Sequence, residues 1–166
     1  MASKNKNLSV FSTDNLPDIS GFGFAIVVAE WNDVVTEKLF EGALATLIRY
    51  GADESRIIRA NVPGSYELTL ASQWMAERGD IDAVIAIGTV IQGETKHNDY
   101  INNAVALGLN DVALSTGKPI VFGVLTPNTM EQALDRAGGK HGNKGDEAAI
   151  TAIKMLGLKN QIISKN

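Results

Sequence analysis

Apolar positions along the chain fall into two rhythms. Residues 24–29, 57–62, 83–87 and 120–125 are short runs rich in Val, Ile and Ala. Three of them are nearly unbroken, which predicts strands buried on both faces of a parallel sheet. The run at 57–62 alternates with Arg59 and Asn61 and stops at Pro63-Gly64, so it predicts a weaker strand closed by a turn. Between the runs the spacing changes to three and four. Val35, Leu39, Phe40, Ala43, Leu44, Leu47 and Ile48 share one helical face, entered through Trp31-Asn32-Asp33 with two candidate N-caps and stopped by Gly51. A second helix is predicted over 67–78, ending at Gly79. A third begins at about Asp99, with Asn98 or Asp99 as its cap, carries Ile101, Val105 and Leu109, and closes at Gly117 and Pro119. Asn128 and Glu131 have capping-box spacing ahead of a short helix that ends at Gly138-Gly139. The last helix starts at Asp146 and places Ala149, Ile150, Ile153 and Leu156 together.

Strands thus alternate with helices four times, and right-handed crossovers then cover a sheet on both faces. The expected fold class is α/β, a flavodoxin-like three-layer α/β/α sandwich around a mainly parallel four-stranded sheet. Ahead of it, residues 1–20 read as an arm, with a polar, flexible start and a short strand at 8–11 that needs a partner edge. Residues 21–166 form the domain.

Composition changes this picture only by exclusion. At 166 residues, 45% apolar and 20% charged, the chain suits one ordinary globular domain. A net charge of -4 provides no global attraction to nucleic acid or an anionic membrane. With no cysteine, disulfides, thiolate metal sites and cysteine nucleophiles are excluded. No apolar run approaches the roughly 18 residues of a membrane span, so a cytoplasmic protein is expected. No histidine pair stands at metal-ligand spacing, and no P-loop or dinucleotide fingerprint is present.

Chemistry concentrates after the third run. Residues 88–97 hold two glycines, two threonines and His97, one of two histidines in the chain. Ligands of open α/β sheets bind beyond the carboxyl ends of the strands, where this loop lies. An imidazole moves protons near neutrality, and Asp99 is placed to orient this one; the alternative is a surface histidine at a helix start. Gly93-Glu94-Thr95 can offer backbone N–H groups to a phosphate. Arg136, Lys140 and Lys144 sit among glycines, as an anion clamp or as a solvated basic link, and His141 reads as solvated. Trp31 is either rim packing or a stacking platform.

Taken together, Trp31-Asn32-Asp33, Pro63-Gly64-Ser65-Tyr66-Glu67, the run from Gly88 to His97, Phe122-Gly123, Arg136-Ala137-Gly138 and Gly142-Asn143-Lys144-Gly145 resemble lumazine synthase from about Gly21 to Leu158. The resemblance implies a transferase that makes 6,7-dimethyl-8-ribityllumazine, the riboflavin precursor, from 5-amino-6-(D-ribitylamino)uracil and 3,4-dihydroxy-2-butanone 4-phosphate, without a cofactor. It implies that Trp31 stacks on the pyrimidine, that Ser65, Tyr66 and Glu67 hold the ribityl chain, and that Thr89, Val90 and Ile91 meet the uracil. Glu94, Thr95 and Arg136 then bind phosphate, His97 transfers protons, and a neighbouring subunit supplies Phe122 and Arg136. It further implies a homo-pentamer. The short link 138–145 resembles that of relatives that build icosahedral shells, with riboflavin synthase as a candidate partner and residues 8–11 joining a neighbour's sheet. Two departures stand out: Gln92 replaces a commonly basic residue, and Glu94 a commonly small one, with Lys96 nearby as an offset. The competing implication is a flavin- or lumazine-binding carrier or shell protein on the same fold.

Overall fold

A computed structural model describes residues 16–163; the expected strand at 8–11 lies outside them. The elements are β1 (Phe24–Ala29), α1 (Asp33–Arg49), β2 (Ile57–Val62), α2 (Leu68–Glu77), β3 (Ala83–Thr89), α3 (His97–Thr116), β4 (Ile120–Leu125), α4 (Met130–Asp135), β5 (Ala137–Gly139), β6 (Gly142–Asn143) and α5 (Lys144–Ile163). Strands β2-β1-β3-β4 form one sheet in that order, and every neighbouring pair is parallel. The fold is therefore the expected three-layer sandwich, and its core is split by the pleat. Ile26 and Val28 of β1 and Ile85 and Ile87 of β3 face α1 and α5, whereas Val27 and Val84 face α2 and α3.

Helix α1 ends as its glycine predicted. Gly51 takes φ 97°, and the N–H groups of Gly51 and Ala52 donate to the carbonyls of Ile48 and Leu47, a Schellman closure. Its exposed face carries the ion pair of Arg59 with Glu37, which draws the Glu37 carboxyl below its ordinary range. Such a pair is worth under about 1 kcal/mol.

Several boundaries differ from expectation. β3 continues through Gly88 to Thr89, because both residues are buried and paired with β4. A 3-10 turn, Ser65–Glu67, precedes α2, which stops at Glu77 when Arg78 turns extended. α3 starts at His97, two residues early, with Lys96 rather than Asn98 or Asp99 in the cap position. The cap of α4 is Thr129, not Asn128: its Oγ1 accepts from the Gln132 N–H at 3.3 Å, and Gln132 Oε1 accepts from the Asn128 N–H at 2.9 Å. The glycine-rich link is not a plain loop but an antiparallel hairpin, β5 with β6, and α5 follows directly from Lys144.

Helices α1 and α5 pack closely, and Asp146 is held in their seam. Burial raises its carboxyl above the usual range, opposed by a hydrogen bond with Thr46 and by the charge of Arg49. An acid raised in the fold holds its proton more tightly when folded, so stability falls as pH rises from the ordinary carboxylate value through the raised one. Asp146→Asn is expected to flatten that segment of the pH–stability profile. Thermal unfolding across the acid range checks this, and an unchanged slope would contradict it.

Candidate active site

The chain leaves β1 toward β2 and leaves β3 toward β4, so the crevice between the carboxyl ends of β1 and β3 is a topological switch point. A cleft of about 630 Å³ opens there. Segments following three adjacent strands line it: Trp31 and Asn32 after β1, Gly64 to Glu67 after β2, and Thr89, Val90, Ile91, Gly93, Thr95 and His97 from β3 onward.

Backbone bonds set each wall. Beyond β1 the N–H groups of Glu30 and Trp31 donate to the carbonyls of Val62 and Pro63, at 2.8 and 3.2 Å. They carry the β1–β2 ladder past its end and leave Trp31 72% exposed. A large aromatic left this exposed is not core, and it lines the cleft. Ser65 is buried because Gly88 lies beneath it; a Cβ on Gly88 would fall 2.6 Å from Ser65 Oγ. Tyr66 and Glu67 stand exposed at the mouth. Thr89 is 2% exposed, and its Oγ1 has no partner among the described residues.

His97 opens α3 and is exposed at the cleft. Its N–H donates to Thr95 Oγ1 over 3.4 Å, a weak bond that folds the loop back onto the helix start. Asp99 does not orient the imidazole as expected. Its carboxylate instead accepts from Asn98 Nδ2 at 3.4 Å, because the earlier helix start places Asp99 in the first turn.

Three expected residues lie elsewhere. Glu94 is exposed and is not part of the cleft lining. Phe122, half-buried on β4, lies in an apolar groove of about 650 Å³ with Leu114, Met155, Leu158 and Ile162. Arg136 lines a separate, polar cleft of about 760 Å³ with Lys140, His141 and Lys144. There Lys140 pairs with Asp135 at 2.7 Å and Lys144 with Glu147 at 2.9 Å, while Arg136 has no ion pair among the described residues. His141 is half-buried in that cleft rather than freely solvated. Asn32, expected only as a cap, is a cleft residue whose side chain caps nothing. No group of three acidic or histidine side chains among the described residues could hold a metal ion.

A sequence model of 6,7-dimethyl-8-ribityllumazine synthase matches residues 21–160. The chain belongs to the 6,7-dimethyl-8-ribityllumazine synthase family. Proteins of that name from Cytophaga hutchinsonii, Flavobacterium johnsoniae and Parabacteroides distasonis are 57%, 50% and 48% identical to it. The matches cover 94%, 97% and 94% of this chain and 98%, 85% and 98% of theirs. The matched family span contains every cleft residue together with the three outlying ones, Glu94, Phe122 and Arg136. Among the described residues, no helix is long and apolar enough to cross a membrane.

Proposed function

We propose that this chain is a cofactor-independent transferase of riboflavin biosynthesis that condenses 5-amino-6-(D-ribitylamino)uracil with 3,4-dihydroxy-2-butanone 4-phosphate to 6,7-dimethyl-8-ribityllumazine. The observation that carries the reading is the convergence of Trp31, Ser65, Tyr66, Glu67, Thr89, Val90, Ile91, Thr95 and His97 in family order around one switch-point cleft or its rim.

In this reading the pyrimidine stacks on Trp31 and its edge meets the backbone at Val90 and Ile91. The ribityl chain lies along Ser65, Tyr66 and Glu67. The ring amine attacks the ketone, water leaves as the imine forms, phosphate is expelled, and ring closure releases a second water. Each step moves a proton, and the exposed imidazole of His97 donates and accepts in turn. Phosphate binds at the Thr95 hydroxyl and the start of α3, where the helix dipole favours an anion. Glu94 is exposed and lies outside the cleft lining, so its carboxylate is not placed against the bound phosphate in this reading. Holding two reactants together provides much of the remaining acceleration.

Phe122 and Arg136 cannot serve the cleft of their own chain in this reading, so a neighbouring copy supplies them. The two flanks support such an assembly. Leu114, Leu158 and Ile162 lie exposed beside β4 at one edge of the sheet, while Leu70 and Trp74 lie exposed near β2 at the other. Different apolar patches at opposite edges suit a head-to-tail contact that closes into a ring. The reading is a homo-pentamer in the cytoplasm, assembled into an icosahedral shell, with arm 1–20 adding its strand to a neighbour and riboflavin synthase as a candidate partner.

The test is to mix purified protein with the two substrates, without added metal or cofactor, and follow lumazine fluorescence. Saturable formation above the spontaneous background is expected. No acceleration by assembled protein that still binds lumazine would contradict the synthase and leave a carrier.

A further inference from the structure

Asn32 is the only non-glycine residue with positive φ among the described residues, at φ 64°. Asparagine tolerates this region better than most residues, yet the usual benefit of an N-cap asparagine is absent here. Its carbonyl begins α1, accepting from Val35 and Thr36, but its side chain makes no cap bond. Instead Nδ2 reaches across the crevice and donates to the Thr89 carbonyl at 3.0 Å. The β1–β3 pairing has stopped by then, at Val28 with Ile87. The left-handed turn thus aims an amide at the place where the two strands part.

The acceptor belongs to a peptide unit that is held at its other end too. The N–H of that Thr89–Val90 peptide donates to the Leu125 carbonyl at 2.9 Å, and two residues on the Gln92 N–H donates to the Pro127 carbonyl at 3.0 Å. In a parallel ladder of this register the N–H of residue 127 would next donate to the Val90 carbonyl. Residue 127 is proline and has no N–H. Among the described residues the Val90 carbonyl and the Ile91 N–H therefore have no hydrogen-bond partner. They are the two halves of one trans peptide unit between two that are tied down, so they face opposite sides of the strand: the carbonyl toward Pro127 and the N–H toward the Asn32 side of the crevice.

We infer that Asn32 is a positioning residue: by holding the Thr89–Val90 peptide it fixes the plane of the next one, so that the Ile91 N–H, on the Asn32 side of the strand, can donate to a carbonyl of a cyclic amide edge. The identity of the ligand rests on the proposed condensation, since the uracil half of that reaction has such an edge. The bridge itself does not rest on it.

The test compares the natural chain with Asn32→Gly, which keeps the left-handed turn without strain, and with Asn32→Asp, which keeps the shape but replaces the donor by an acceptor. Two readouts are taken on the assembled protein. In hydrogen–deuterium exchange, both variants are expected to exchange faster over residues 88–92 while 24–29 stays protected. In steady-state kinetics, KM for the ribitylaminouracil is expected to rise about 10-fold, the value of one lost hydrogen bond of roughly 1.4 kcal/mol, with KM for the butanone phosphate unchanged. Unchanged exchange over 88–92 in both variants overturns the bridge. Faster exchange with an equal rise in both KM values overturns the selective role. A natural chain that does not turn over the substrates overturns the condensation alone, and exchange still decides whether Asn32 holds the peptide.

Discussion

Alanine in place of His97 is expected to slow turnover by about 10²-fold, the usual contribution of a well-placed general acid and base, with little change in thermal stability. The imidazole is exposed, and among the described residues its side chain has no hydrogen-bond partner; only the backbone N–H of His97 is engaged. Removing the ring therefore leaves the cleft walls in place. What is lost is the one side chain at the cleft suited to both donate and accept a proton near neutrality. The Thr95 and Ser65 hydroxyls line the cleft but do not exchange protons in that range, and Glu67 stands at the mouth. Initial rates at saturating substrate, with a melting curve for the same preparation, check this. A rate equal to that of the natural chain in folded protein would remove His97 from the mechanism.

The largest expected structural effect is remote from the cleft. A Cβ on Gly145 would lie 1.9 Å from the Leu39 carbonyl oxygen and 3.0 Å from the Ala43 nitrogen. Both belong to the backbone of α1, which cannot yield as a side-chain tip would. Gly145→Ala is therefore expected to destabilise the protein by about 3 kcal/mol, the upper part of the ordinary overpacking range. For a chain of this length that lowers Tm by on the order of 10 °C at fixed protein concentration. The contact also locates the polar cleft. Asn143 Nδ2 donates to the Lys38 carbonyl at 2.8 Å and Asn143 Oδ1 accepts from the Gly145 N–H at 2.8 Å, so the same seam pins the β5–β6 hairpin that follows Arg136. Thermal unfolding decides the point; a melting temperature within error of the natural chain would show that α1 and α5 can separate without loss.

The four strands were legible because a short β-branched run has few alternatives once a parallel sheet covers both faces. Gly88 misled, since a glycine after such a run reads as a stop. Here it stays in the strand because Ser65 occupies the space a side chain would need. The start of α3 was missed for a related reason. Lys96 is a poor cap by propensity, and what folds the turn is Thr95 and the Lys96 carbonyl, which accepts from Asp99 and Tyr100. In the site, His97 and Thr95 could be found locally, by one loop after one strand. The role of Asn32 could not. It depends on a bond made with a segment 57 residues away, and no local pattern records it. Arg136 was legible only as one of three candidate anion-binding cations, the role of Phe122 came through family resemblance, and the two lie in clefts apart from His97.

That separation makes one measurement decisive for the proposed enzyme. Arg136→Ala and His97→Ala chains, each nearly inactive when assembled alone, are unfolded together in equal amounts, reassembled, and assayed for lumazine formation. If each site combines the His97 cleft of one chain with Arg136 of its neighbour, random mixing leaves both groups intact in roughly a quarter of the sites, as a head-to-tail ring requires. About that fraction of natural activity is the predicted result. Activity no greater than the sum of the two separate variants, in assemblies shown to contain both chains, would contradict a shared site.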